Sequence, residues 1–198
     1  GRVAALEVEG PEGRFRLPAE HAVLALGNSA RDTFQMLHAA GVPLEPKPLA
    51  VGVRIEHRQA DIDLAQYKRW AGHPRLPAAS YKLSCHLESG RGVFSFCVCP
   101  GGQVVAAASE ADRVVTNGMS LYARDGVNCN GGLLVGVTPA DFPGEGPLAG
   151  VAFQRALEER AWSAGGGGFR APAQRVEDFL LRRPSTGPGG VLPTYRPG

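Results

Sequence analysis

The chain has 198 residues, 43% of them hydrophobic, which is enough for one large domain or for one domain and part of another. Lysine and arginine total 21 against 19 acidic residues, and this formal net charge of +2 gives no electrostatic reason to expect nucleic acid or an anionic membrane as partner. No apolar run approaches the roughly 20 residues that span a bilayer, and the first residues lack the apolar stretch of a secretory signal.

The first elements predicted in chain order are three strands. Residues 3–8 and 14–17 alternate around a Gly-Pro-Glu-Gly turn, which is typical of a β-hairpin. Residues 22–26 form a continuous apolar run, which predicts a strand buried on both faces. We therefore expect a hairpin followed by a buried strand.

A helix is predicted after Gly27. Ser29 stands three residues before Asp32, the spacing of a capping box with Asp in place of Glu, and Gly41 is expected to end the helix. A turn from strand to helix presents unpaired N–H groups that suit a nucleotide phosphate or ribose; a capped helix with solvated side chains is the alternative. The chain contains neither GxGxxG nor GxxxxGK[ST], so neither complete site is expected here.

The middle of the chain reads as short strands separated by glycine turns. Residues 58–77 are mainly polar and are expected to leave the sheet as a connecting segment with a short helical stretch around Tyr67. The spacing of the strands favours an antiparallel sheet or small barrel, with strands predicted at residues 49–55, 81–87, 92–97, 103–108 and 133–137.

Helices are predicted after residue 141. The first helix is indicated by four residues spaced as on one helix face, Phe153, Leu157, Ala161 and Ala164. The glycines at 165–168 should end this helix. Pro172 is well placed to begin another helix, with an inner face of Val176, Phe179 and Leu180. The Pro/Gly-rich residues 184–198 read as a connecting loop.

Four cysteines, Cys85, Cys97, Cys99 and Cys129, leave three interpretations open: buried thiols, a substrate-facing thiol, or a metal site. Cys97 and Cys99 are two residues apart, so a regular strand would place both on one face. The spacing does not match the paired C-x(2–4)-C ligands of structural zinc. We expect a reducing compartment, with no internal disulfide and no zinc.

Two polar, glycine-rich segments, 117–120 and 128–132, are explained either by tight turns or by close approach to a flat ligand. Arg54 and Glu56 share one face of a predicted strand, where a simple cross-pair would account for them, and His57 faces the other side.

Residues 25–34, 47–57, 96–102 and 117–120, taken in this order, resemble the uncharacterised FAD-dependent dehydrogenase family of bacterial and plastid flavoproteins. This family is related in fold to the glutathione-reductase-like and aminoacetone-oxidase-like enzymes. Phe142 and the segments 148–154 and 171–174 fit the same resemblance.

The resemblance implies an α+β fold and an FAD-dependent oxidoreductase of unknown substrate. Residues 1–45 would end an FAD-binding α/β domain, residues 46–142 would form an inserted antiparallel β domain over the flavin, and residues 143–198 would be helices and a connecting loop. The FAD fingerprint would lie upstream and a second FAD-contacting segment downstream. We therefore expect an internal segment that is inactive alone, although a domain complete in itself is the alternative.

The implied site residues form two sets, and neither includes an assignable catalytic acid or base, or a metal ligand. The candidate FAD contacts are Gly27, Asn28, Ser29, Arg31 and Asp32. The candidate substrate-side residues are Arg54, His57, Cys97, Cys99, Gly101, Gly102, Asn117, Met119 and Ser120.

The expected partners are flavin and a small-molecule substrate, with NAD(P) possible in the longer protein, and neither nucleic acid nor membrane. The expected location is the cytoplasm, or the plastid stroma for a photosynthetic source. Two other classes stay open: a standalone β-rich binding module without cofactor, and a thiol or metal protein.

Overall fold

A computed structural model describes residues 2–198 as two compact units, the first ending at Gly41 and the second beginning at Val42. Helices are few and every sheet is antiparallel, so the predicted mixture of helices and antiparallel strands is confirmed. The predicted three-part division of the chain stays a prediction. The first unit contains β1 (Ala5–Gly10), β2 (Gly13–Pro18) and α1 (Arg31–Ala39).

The predicted hairpin is confirmed, but the strand predicted at residues 22–26 is wrong. β1 and β2 pair in antiparallel register from Ala5 with Pro18 to Gly10 with Gly13. Residues 22–26 are irregular, and Val23 is 90% exposed. A strand persists only when its backbone groups pair with a neighbour, and no described strand pairs with this segment.

Helix α1 forms without the predicted capping box. The N-cap is Ala30, with no side-chain cap, and Asp32 accepts a hydrogen bond from the N–H of Thr33 at 2.8 Å. Asp32 is the second helical residue, whereas in a capping box the side chain of the third helical residue bonds back to the N–H of the N-cap residue. The predicted end is confirmed, because Gly41 has φ of 79° and its N–H donates to the carbonyl of His38.

The second unit is built on a four-stranded sheet with the order β3-β8-β5-β4, and β6 pairs separately with β7. Short 3-10 turns occupy Lys68–Trp70 and Pro139–Asp141. The remaining elements are β3 (Leu49–Arg58), α2 (Gln59–Tyr67), β4 (Ser84–His86), β5 (Gly92–Cys99), β6 (Gly102–Ala106), β7 (Thr116–Ser120), β8 (Asn128–Val137), α3 (Ala149–Ala164) and α4 (Val176–Leu180).

Strand β7 and the first half of β8 were expected to be turns. Residues 117–120 instead pair with β6, and residues 128–132 pair with β3 and β5. β8 is an inner strand, and Asn128 to Gly132 are all buried. A side chain at Gly132 would lie 3.2 Å from the carbonyl oxygen of Phe96. Tertiary packing therefore favours a small residue in a strand that propensity disfavours.

The core of this unit lies between the sheet and α3. Val137, Phe142 and Ala149 are buried together, and Leu49, Val51 and Phe153 pack against them. The rings of Phe142 and Phe153 are 5.4 Å apart. The predicted helix around Phe153 is thus confirmed, and it ends at Ala164 before the glycines. No described helix is long and apolar enough to cross a membrane.

Helix α4 begins at Val176, four residues later than predicted, and its predicted inner face is wrong. Phe179 is 66% and Leu180 72% exposed, whereas Asp178 between them is fully buried. Asp178 accepts hydrogen bonds from Arg175, Arg183 and Ser185. Charge-assisted hydrogen bonds, and not an apolar face, therefore hold this helix.

Candidate functional site

The substrate-side candidates meet around Arg54 of β3. Its Nη1 donates to Oδ1 of Asn130 at 2.6 Å and to the carbonyl of Cys97 at 3.3 Å. Its Nη2 donates to Oδ1 of Asn117 at 3.3 Å. We call these four residues the Arg54 cluster. It joins β3, β5, β7 and β8 at one face of the sheet.

No ion pair within residues 2–198 includes Arg54. The pair with Glu56 that the sequence suggested does not form. Glu56 instead accepts from the Thr194 hydroxyl at 2.6 Å and from Asn128 Nδ2 at 3.2 Å. The guanidinium is thus half-buried and held by neutral oxygens, so its positive charge stays available to an anionic group.

Asn130 adds a second feature that suits a polar ligand. The residue is 0% exposed, its Oδ1 accepts from Arg54, and its buried Nδ2 has no hydrogen-bond partner. A buried donor without a partner is costly and uncommon. One cation and one free donor therefore lie in the same cluster.

Glycines let the strands close tightly around the cluster. A Cβ at Gly118 would lie 2.1 Å from Oδ1 of Asn130 and 2.3 Å from Nη1 of Arg54. A Cβ at Gly102 would lie 2.6 Å from the carbonyl of Met119, and Gly101 has φ of 53° and donates its N–H to Oε1 of Gln59. The structure therefore places Gly102 in the packing between strands and Gly101 in a turn packed against the carbonyl of Arg124, and neither in an open cradle.

The sequence prediction that Cys97 and Cys99 share a face is wrong. The register of β5 shifts between Phe96 and Cys99, and Cys97 has φ of 47°. Cys97 is exposed and Cys99 buried, with the Cys99 thiol 3.3 Å from the Cys97 carbonyl. An extra residue in one strand of a pair re-aims the side chains beyond it. Burial raises the pKa of Cys99.

The other two cysteines lie elsewhere. Cys85 is exposed on β4, and Cys129 is 0% exposed on β8, where burial raises its pKa to about 11. Cys129 is therefore a neutral thiol near pH 7. All four cysteines are free, and the part of the chain from residue 2 onward contains no group of three or more His, Cys, Asp or Glu residues able to hold a metal.

His57 lies on the other face of β3, hydrogen-bonded to Tyr81. Its Nε2 is 3.0 Å from the Tyr81 hydroxyl, and the two rings meet edge-on at 5.5 Å. Burial lowers the pKa of His57, against the opposing charge of Asp61, and burial raises the pKa of Tyr81. Alternation along the strand therefore keeps His57 apart from Arg54.

Met119 and Ser120 belong to β7. The Ser120 hydroxyl donates to the carbonyl of Pro100 at 2.7 Å, which ties β7 to the turn after β5, and Met119 is 51% exposed. Sequence reasoning missed Asn130 and Tyr81. Asn130 carried a signal, because it lies in the Asn/Gly-rich segment 128–132, whereas nothing in the local pattern distinguished Tyr81.

The candidate FAD contacts lie together in the first unit. Gly27 has φ of 77°, and Asn28 and Ser29 follow it in an exposed turn. The N–H of Arg31 donates to the carbonyl of Ser29 at 2.9 Å. Arg31 and Asp32 open α1, Arg31 being buried. Their role toward FAD stays a prediction.

Comparison with known proteins identifies the family. Residues 48–198 match the family described as "FAD-dependent protein, C-terminal domain-like". An uncharacterized protein of Clostridium beijerinckii is 48% identical over 199 residues, which cover 100% of this chain and 37% of that protein. The chain thus spans little more than a third of this relative's length. It belongs to the FAD-dependent protein, C-terminal domain-like family.

Proposed function

We propose that this chain is the substrate-side, or cap, segment of a longer FAD-dependent oxidoreductase, with the Arg54 cluster directed at the flavin ring. Gly27, Asn28, Ser29, Arg31 and Asp32 are its proposed contacts with FAD. Family membership supports an association with flavin, and the substrate stays unnamed.

The observation that carries the proposal is a half-buried cation with no carboxylate partner. When bound, FAD supplies the electron-transfer chemistry, and its ring gains negative charge on reduction. A guanidinium already held in place favours the charged form without reorganising, and its effect is larger in a site of low dielectric than in water. Asn130 and Asn117 hold the two guanidinium nitrogens of Arg54 in position.

The other substrate-side candidates have supporting parts in this proposal. The bulge at Cys97 brings its carbonyl to Arg54, and Ser120 fixes the strand that carries Asn117. His57 lies on the opposite face of β3 from Arg54, hydrogen-bonded to Tyr81, so it would not meet the part of the ligand that Arg54 faces. NAD(P) as an electron partner of the longer protein is part of the same proposal.

The test is an Arg54→Met variant of the full-length protein, compared with Arg58→Met. Arg58 is on the same strand but pairs with Asp61 at 2.9 Å on the surface, so it is a matched control. We expect Arg54→Met to lower the midpoint potential of the bound flavin by roughly 30 mV, equivalent to about 1.4 kcal/mol for a two-electron couple. Arg58→Met should leave it unchanged. Spectroelectrochemical titration measures both, and equal potentials in the two variants would rule out a flavin-facing Arg54.

A further inference from the structure

A compact loop after α2 carries exposed basic and aromatic side chains. We call Lys68, Arg69, Trp70, His73 and Arg75 the basic–aromatic loop. Successive backbone hydrogen bonds shape it, from Ala71 N–H to Lys68 at 3.1 Å, from His73 N–H to Trp70 at 3.0 Å and from Leu76 N–H to His73 at 2.9 Å. These consecutive turns give the backbone that carries the side chains a defined shape before any ligand arrives.

Trp70 is the centre of this loop and is 54% exposed. The Arg69 guanidinium carbon lies 5.2 Å from the centre of its ring, and the His73 ring meets it edge-on at 6.0 Å. The N–H of Arg75 donates to Nδ1 of His73 at 3.3 Å, which orients that ring. A guanidinium over one face leaves the other face of the indole for a second stacking partner.

The three cations of the basic–aromatic loop have no acidic partners. Lys68, Arg69 and Arg75 are exposed, and none takes part in an ion pair anywhere in the described chain. The acids just before them are already engaged, since Asp61 pairs with Arg58 and Asp63 accepts from Gln59 and from the N–H of Ala79. The loop that carries the exposed indole thus has three uncompensated positive charges.

We propose that the basic–aromatic loop binds a nucleoside phosphate, with the base stacked on Trp70 and the phosphates bound by Lys68, Arg69 and Arg75. Base–aromatic stacking with cations that bind the phosphates is how proteins bind nucleotide units without reading their sequence. The loop offers a single aromatic platform, and the whole chain carries a net charge of only +2, so a mononucleotide fits better than a polymer. This site is independent of the proposed flavin contacts.

The experiment uses Trp fluorescence of this chain. It contains two tryptophans, so Trp162→Phe leaves Trp70 as the reporter. ATP should quench this fluorescence saturably with a Kd of roughly a millimolar or below. Adenosine and inorganic pyrophosphate should each bind about tenfold more weakly, because each lacks half of the ligand. Added salt should weaken ATP binding.

Variants separate the stacking residue of the site from its phosphate-binding cations. Their ATP binding is measured by calorimetry on chains that keep Trp162, so the result does not depend on the folding of Trp162→Phe. Trp70→Ala and Arg69→Gln should each weaken ATP binding about tenfold. Lys47→Gln is the control, because Lys47 is an exposed cation outside the loop that pairs with Glu45, and it should bind ATP as the unaltered chain does.

Three results would overturn the proposal. The first is no saturable ATP binding at millimolar concentrations. The second is pyrophosphate binding as tight as ATP binding and unchanged by Trp70→Ala, which would mean a simple anion patch. The third is binding of a single-stranded RNA oligomer with no binding of ATP.

Discussion

Asp178 is a charged residue with no exposed surface. Arg175 Nε donates to it at 2.5 Å, Arg183 Nε at 2.6 Å and the Ser185 hydroxyl at 2.7 Å. A buried carboxylate is tolerated only when it is paired and hydrogen-bonded in this way. The five-residue helix α4 is too short to be stable alone, so these bonds fix the helix and the chain around it.

Asp178 makes the stability of the chain depend on acid pH. The hydrogen bond from Arg175, then those from Ser185 and Arg183, hold the pKa of Asp178 well below its usual range. A carboxyl with a lowered pKa in the folded state stabilises it above the unfolded pKa of about 3.9, and this contribution is lost as the pH falls further. We expect Asp178→Asn to lower the free energy of unfolding at pH 7 and to flatten its decline below about pH 4.

Urea unfolding from about pH 7 down to about pH 2.5 measures this effect. Asp125→Asn, at an exposed position, is the control and should keep the pH dependence of the unaltered chain. Identical pH profiles for Asp178→Asn and Asp125→Asn would show that the network around Asp178 contributes no pH-dependent stability.

At the scale of elements, strand formation follows pairing more than local sequence. Residues 22–26 form a continuous apolar run of the kind that predicts a buried strand, yet they are irregular in the absence of a described neighbour. Residues 128–132 contain Asn and Gly, which strands disfavour, yet they lie between β3 and β5. Backbone hydrogen bonds on both sides outweigh an unfavourable propensity, and an apolar pattern alone does not hold an unpaired segment as a strand.

This difference predicts amide exchange rates. In the monomeric chain, the amides of residues 22–26, and of residues 2–41 generally, should exchange much faster than those near Phe94 and Val104, after correction for intrinsic rates. Phe94 lies on β5, which pairs with both β4 and β8, and Val104 pairs with β7. Mass spectrometry or NMR measures the exchange. Equal protection of both regions would indicate that residues 22–26 are stably paired within this chain.

At the scale of the whole molecule, the family match and the structural units coincide in part. The matched residues 48–198 lie wholly within the unit that begins at Val42. This unit has its own core, its own sheet and the Arg54 cluster. The family assignment therefore concerns this unit, and the role proposed for residues 27–32 in the other unit rests on sequence resemblance.

The absence of a dinucleotide motif predicts how this chain behaves alone. It contains no GxGxxG segment, and its backbone therefore lacks the glycines that usually hold the FAD pyrophosphate. We expect the purified chain to be colourless and to bind FAD no tighter than roughly millimolar. Absorbance and equilibrium dialysis check this, with a full-length protein as the positive control. A yellow chain with stoichiometric flavin would mean that the FAD site is contained within it.

Local patterns in the sequence determined several elements correctly. The hairpin of β1 and β2, the antiparallel strands around Phe94 and Val135, and the helix that ends at Ala164 were all visible as periodicity and turn chemistry. The ordered motifs from residue 47 onward also indicated an FAD-dependent family, and the match to residues 48–198 agrees with this. Each of these features depends on residues close together along the chain.

Only the tertiary structure decided the chemistry of the candidate site. Arg54 contacts Asn130, 76 positions away in the sequence, and Asn117, 63 positions away. The β-bulge at Cys97 places the thiols of Cys97 and Cys99 in different environments. The helical pattern predicted that Phe179 and Leu180 face inward, but both are exposed and Asp178 is the residue that is buried. Short-range periodicity reports which face of an element is apolar, but long-range pairing and burial decide which polar groups meet, because those depend on strand order and register.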